Sequence, residues 1–191
     1  MNVNLEYLKK IGGISEESFK ELAEIAEYRK VPANTILCEP GAVPTHVYML
    51  VSGVINAFVT SESGKYFNKR LFTPISFAGG LTAILKNEPS EVTYMTLTEC
   101  KFYEMNFEDF RALCRKNFEI GRLYVKVLER AFIAYEERSI DLMRLDATNR
   151  YLKLRKQIPN IDNLIPQYQI ASYLNITPVQ LSRIRKKLNL T

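Results

Sequence analysis

Histidine is almost missing from this 191-residue chain; His46 is the only one. A metal site built from several imidazoles is therefore excluded, which argues against an enzyme on a cupin-like barrel. His46 lies in a strand-like run, His46-Val-Tyr-Met-Leu-Val51, which suits a structural role. Cysteine is also scarce. Cys38, Cys100 and Cys114 are far apart and form no CxxC pair, which argues against zinc ribbons. Iron–sulfur clusters normally take four ligands, usually cysteine. The three read instead as buried, reduced thiols. No uninterrupted apolar run approaches the roughly 20 residues that span a bilayer. The first ten residues carry charge and no apolar core, so neither a signal peptide nor a membrane is expected, and a cytoplasmic location is the expectation. Local spacing exposes no nucleophile–base pair, so the expected function is non-enzymatic, with no cofactor.

Acidic residues are scarce at one end. From Arg150 to Thr191 there are eight basic residues and one acid, Asp162, a balance of +7. The whole chain carries +5, so the rest is slightly negative. A basic end on a near-neutral body fits nucleic-acid binding.

That end also holds the most informative pattern. Pro166 suits a first helical turn, and Ile170, Ala171 and Leu174 give one apolar face. Asn175-Ile-Thr177 reads as a turn. Thr177 is an N-cap and Pro178 a first helical residue, and Leu181, Ile184 and Leu188 form the face of a second helix. Two short helices about a tight turn make a helix-turn-helix pattern. At about 100° per residue, Val179, Ser182, Arg183 and Lys186 point outward, flanked by Gln180 and Lys187. Arginine bonds guanine edges in pairs, an exposed valine touches a thymine methyl, and lysines sit on phosphates. The competing reading is a solvated helix pair packed on a core.

Upstream, a helix capped by Ser15 is expected to run to about Tyr28. Short β-branched and aromatic runs follow: 35–38, 46–51, 54–60, 66–72, 92–97 and 101–105, cut by turns at Gly41, Gly53 and Gly64. Such spacing predicts a sandwich or barrel. Phe77-Ala-Gly-Gly-Leu81 interrupts it as a glycine turn leading into a short helix, a weak candidate anion site. Asn106 caps a helix to about Lys116, and a long helix spans about 118–145. Along it Ile120, Tyr124, Val127, Ala131 and Ala134 recur at heptad-like spacing. That stripe reads as a dimer seam, and packing against the chain's own barrel explains it almost as well. Asp146 caps a further helix, 147–157.

In this order the chain resembles the Crp/Fnr family of bacterial transcription regulators. The resemblance rests on Gly41, Gly53 and Gly64, on Phe77–Leu81, and above all on Gln169–Ile184. It implies an α+β fold. An N-terminal antiparallel β-barrel of jelly-roll type, cyclic-nucleotide-binding-like, would fill residues 1–116. A dimerisation helix would fill 117–146, and an all-α helix-turn-helix domain 147–191, without a full wing because only three residues follow Leu188. The implied function is sequence-specific transcription regulation by a homodimer on double-stranded promoter DNA, with RNA polymerase as a further partner. Arg183 falls where the family has a base-contacting arginine, and Thr177 at its phosphate-contacting cap. Val179 replaces an acid with which some members read bases.

The resemblance places an effector at Gly79, Gly80 and Ser90. Members that bind cyclic nucleotides carry a glutamate where this chain has Gly80 and an arginine where gapless continuation gives Ser90. Glu88 and Glu91 flank that position. No tight cyclic AMP binding is expected; the interior would hold a small-molecule effector of another kind, or be filled by its own Phe and Tyr side chains and hold none. Iron–sulfur members carry an N-terminal cysteine cluster, and no cysteine precedes Cys38. Control would pass through a hinge at Leu145–Thr148, with the basic run Arg150–Lys156 adding DNA affinity. The alternative is a ligand-binding or protein-interaction module with a vestigial DNA-binding domain.

Overall fold

A computed structural model of the chain describes residues 3–64 and 66–190. Helices α1 (Val3–Gly12) and α2 (Glu16–Glu24) open the chain. Ser15 caps α2 by accepting from the Ser18 N–H, as its position before two glutamates predicts. The strands are β1 (Ala26–Val31), β2 (Ile36–Cys38), β3 (His46–Ser52), β4 (Ile55–Thr60), β5 (Tyr66–Phe72), β6 (Ser76–Ala78), β7 (Thr93–Thr96) and β8 (Cys100–Asn106). Between β6 and β7 lies α3 (Leu81–Lys86). After β8 come α4 (Phe107–Lys116), α5 (Phe118–Arg144), α6 (Ala147–Gln157), α7 (Ile161–Leu164), α8 (Gln167–Tyr173) and α9 (Pro178–Lys187).

The expected barrel is a sandwich of two antiparallel four-stranded sheets, ordered β1-β8-β3-β6 and β2-β7-β4-β5. Leu50, Phe102, Ile55, Phe72 and Tyr94 from both sheets meet in the core between them. Alternation of inward apolar and outward residues along each strand makes this possible. Two strands escape the sequence pattern. β1 is an edge strand whose Glu27–Lys30 are exposed, so no apolar alternation marks it, and α2 ends earlier than expected to make room. β6 has only three residues.

The outer face of the first sheet, with Met49 and Met105, is covered by Leu8, Leu22, Phe107, Phe110, Ile120 and Leu123. The stripe expected as a dimer seam begins on this same face. Ile120 is fully buried in the chain's own core, and Tyr124 and Val127 pack against that core. The Tyr124 ring stands edge-on to Phe110 at 5.5 Å and Phe107 at 6.1 Å. Ala131 lines a cavity below, and Ala134 is half-buried. For Ile120, Tyr124 and Val127, α4 and the first sheet supply an apolar wall within the same chain. The opposite side of α5 is the exposed one: Val125, Phe132 (68% exposed) and Met143 (81%), seven and eleven residues apart.

The outer face of the second sheet carries Val54 and Leu71, which pack against Tyr151, Leu154, Ile161, Ile170, Ala171 and Leu174 of the C-terminal helices. The sandwich therefore directly supports the end of the chain. Ser172 Oγ accepts from the Asn68 N–H at 3.0 Å and donates to the Tyr66 carbonyl at 3.3 Å. Arg138 Nη2 donates to the carbonyls of Asn68 at 3.3 Å and Tyr173 at 2.8 Å, with its guanidinium 3.8 Å from the Tyr173 ring centre.

Candidate nucleic-acid interface

Helices α8 and α9 meet about a turn in which Asn175 takes the left-handed conformation, φ 55°. Asparagine tolerates this better than most residues. Thr177 caps α9 as expected. Its hydroxyl accepts from the Gln180 N–H at 3.2 Å, and the Gln180 side chain accepts from the Thr177 N–H at 2.9 Å. Reciprocal capping satisfies two N–H groups that a helix start otherwise leaves open. It also places Gln180 in the cap, so its carbonyl oxygen is committed to the backbone.

Leu181 is buried, with Ile184 and Leu188 packed beside it, so the inner face of α9 is the apolar one. Val179 (60% exposed), Ser182, Arg183, Lys186 and Lys187 face solvent together. The single acid of this region is spent inside. Asp162 accepts from the buried Tyr151 hydroxyl at 2.6 Å, pairs with Arg155 Nε at 3.0 Å and lies 3.9 Å from Arg185 Nε. Burial raises the Tyr151 hydroxyl to about 12, so it stays a donor. Arg183, Lys186 and Lys187 are left without an ion-pair partner among the described residues. This outward charge is not consumed by an internal pair among the described residues.

The basic run 150–156 is placed differently from expectation. Arg150 donates to the carbonyls of Leu174 at 3.2 Å and Leu145 at 2.5 Å. Lys153 pairs with Asp141 at 2.5 Å, and Arg155 is held by Asp162. Most of that charge fastens α6 to its neighbours, which sequence position alone does not reveal.

Sequence reasoning also missed a buried polar triad between sandwich and helix pair. Gln169, 1% exposed, accepts through Oε1 from Tyr66 Oη at 2.9 Å and Asn56 Nδ2 at 3.2 Å. The Asn56 amide also bonds the Tyr66 hydroxyl. Burial pushes the Tyr66 hydroxyl up to about 12, although its Gln169 and Asn56 partners pull the other way. The three residues lie 10 to 113 positions apart, so no local signal links them.

The expected effector residues are split. Gly80 and Ser90 line one cleft of about 210 Å³, while Gly79 lines a separate apolar cavity. Ser90 is buried, and its hydroxyl donates to the Val92 carbonyl at 2.9 Å and accepts from the Val92 N–H at 3.1 Å. It is used by its own turn. A Cβ on Gly80 would stand 2.9 Å from the Pro44 ring, so a glutamate there requires Pro44 to move. The two departures from the nucleotide-binding pattern are thus built into the surrounding packing. Cys38 and Cys100 are buried, and burial raises the thiol pKa of all three cysteines. Among the described residues no His, Cys, Asp and Glu group is placed to hold a metal. No helix among them is long and apolar enough to cross a membrane.

Comparison with known proteins agrees with this architecture. Residues 28–117 match the cyclic nucleotide-binding domain model. No curated protein matches by sequence. Among solved structures, the c-di-GMP-responsive global regulator CLP of Xanthomonas campestris superposes with a TM-score of 0.71 at 16% identity, covering 92% of each chain. FixK2 of Bradyrhizobium japonicum gives 0.72 at 13% identity, covering 86% of this chain and 85% of its own. A transcriptional regulator of the Crp/Fnr family from Eubacterium rectale gives 0.71 at 12% identity, covering 97% and 88%. At such identities the likeness is one of fold. Residues 28–117 thus match a cyclic nucleotide-binding domain, within a chain that shares its overall fold with these three proteins.

Proposed function

We propose that this protein is a dimeric, sequence-specific DNA-binding transcription regulator of the Crp/Fnr type, controlled by an effector other than cyclic AMP. The observation that carries the reading is the outer face of α9: Val179, Ser182, Arg183, Lys186 and Lys187, exposed together with no acid to neutralise them. α9 enters the major groove, where Arg183 reads a base edge and Lys186 and Lys187 hold phosphates. Thr177, at the start of α9, sits against the backbone. One such helix reads half a site, so two copies pair through the exposed side of α5, about Val125, Phe132 and Met143. An effector in the sandwich shifts the balance between placements of α9 through the Leu145–Thr148 hinge and the Asn56–Tyr66–Gln169 contact.

The test is binding to duplex promoter fragments by fluorescence anisotropy across a salt series. Specific binding weakens steeply as salt rises. Arg183→Ala costs about 1–3 kcal/mol on the preferred sequence and relaxes selectivity. Equal affinity for all duplexes, in both the unmodified protein and the variant, defeats the reading.

A further inference from the structure

The chain lacks the cassette arginine, yet two other cations stand side by side on β5. β4 and β5 pair with a register shift: Ala57 faces Arg70 and Phe58 faces Asn68, so Lys69 is the extra residue of a bulge. A bulge re-aims side chains that regular alternation would send to opposite faces. Here Lys69 Nζ lies 5.7 Å and the Arg70 guanidinium 4.9 Å from the centre of the same ring, Tyr135 of α5. Arg70 also lies 5.0 Å from the Phe72 ring. Both side chains are half-buried, and neither makes a hydrogen bond or ion pair among the described residues.

Beneath Arg70 is a cavity of about 120 Å³ between β5, β6 and α5. Phe72, Phe77, Leu81, Tyr124, Val127 and Ala131 line it. Lys69 faces the neighbouring Gly80–Ser90 cleft. Of the acids nearby, Glu88 is held by Lys86 at 3.7 Å and Asp141 by Lys153. Glu91 lines the Lys69 cleft, and Glu137 lines a junction cavity that Arg70 also borders.

We propose that this is a binding site for a small apolar carboxylate. Its compact hydrocarbon body fills the cavity against α5, and its carboxylate meets Arg70 and Lys69 at the mouth. An engineered apolar cavity of about 150 Å³ accepts benzene, so the size suits one ring or a short acyl chain. Arginine presents a planar fork that matches a carboxylate. The half-buried, unpaired guanidinium gains a partner that the protein itself does not supply. A ligand here touches β5, whose outer side holds the helix-turn-helix, and α5, which leads to the hinge.

The inference rests on reading the sandwich as a sensor, and its test is kept separate from DNA. Calorimetry on the full chain without DNA uses benzoate and hexanoate, with benzamide and hexanamide as neutral counterparts. Submillimolar binding of benzoate or hexanoate is expected, roughly tenfold or more tighter than the matching amide. Arg70→Gln and Lys69→Gln each reduce carboxylate affinity and leave amide affinity unchanged; Arg70→Lys retains part of it. Circular dichroism confirms that the variants fold. Benzoate binding with hexanoate excluded assigns a ring, and the reverse an acyl chain. Absence of carboxylate binding by the unmodified chain overturns the proposal, as does equal binding of acid and amide, or unchanged affinity in both glutamine variants. A chain that binds benzoate or hexanoate but no DNA keeps this site and loses the regulator reading.

Discussion

Gln169→Leu tests how the sandwich holds the helix pair. The side chain is buried and its Oε1 accepts two hydrogen bonds, from Tyr66 Oη and Asn56 Nδ2. Leucine fills most of the same space but accepts nothing. Each buried donor left unpaired costs about 1–3 kcal/mol. Asn56 and Tyr66 still bond each other, which spares part of that cost. A net loss of about 2 kcal/mol is expected, raising the undocked population roughly 30-fold. The Asn68 N–H reports on it directly, because its acceptor is Ser172 Oγ on α8. Hydrogen exchange at Asn68 should accelerate by a similar factor, with protease sensitivity rising at Leu145–Thr148. Exchange in the β3–β8 pairing should stay unchanged. Adding Tyr66→Phe removes one stranded donor, so the double variant should be destabilised by less than the sum of the singles. Unchanged exchange at Asn68 in Gln169→Leu, with the fold intact, refutes the reasoning.

Three further outcomes follow from the same geometry. Phe132→Asp, on the exposed side of α5, should convert a dimer to a monomer in analytical ultracentrifugation, whereas Ile120→Ala should cost about 2–5 kcal/mol of stability in chemical denaturation without first separating subunits. The Glu119 carboxyl is held down at about 2 by the N–H of Ser15 and the hydroxyls of Ser15 and Ser18. Its contribution is complete above the ordinary carboxylate range and is lost as pH falls from about 4.5 towards 2; Glu119→Gln should flatten the acid limb of a thermal-stability profile there. Thr177→Ala removes the α9 cap and should cost about 1 kcal/mol in chemical denaturation, with DNA affinity falling at the same time.

Local signals were legible because local chemistry sets them. Ser15, Asn106, Asp146 and Thr177 each cap the helix that follows, and in every case a side-chain oxygen accepts from the N–H expected of it. The apolar face of α9 and its bare basic outer face follow from a 100° repeat. What was not legible depends on partners distant in sequence. The stripe from Ile120 to Ala134 has the spacing of a seam, but spacing does not say whether the complementary wall belongs to the same chain. Arg150 and Arg155 look like free charge until Leu174 and Asp162 are brought to them. The bulge at Lys69 exists only in the pairing of β4 with β5, so neither strand read alone displays two adjacent cations on one ring.

The contact between β5 and α8 has a consequence for solubility. β5 is the last strand of its sheet, and its outer edge would present bare N–H and C=O groups to any other chain. Ser172 occupies the Asn68 N–H and the Tyr66 carbonyl, and Arg138 occupies the Asn68 carbonyl. The helix pair is therefore also the shield of a sheet edge. Whenever it swings away, a templating edge is uncovered, and the time spent undocked sets the tendency of the protein to polymerise through its strands.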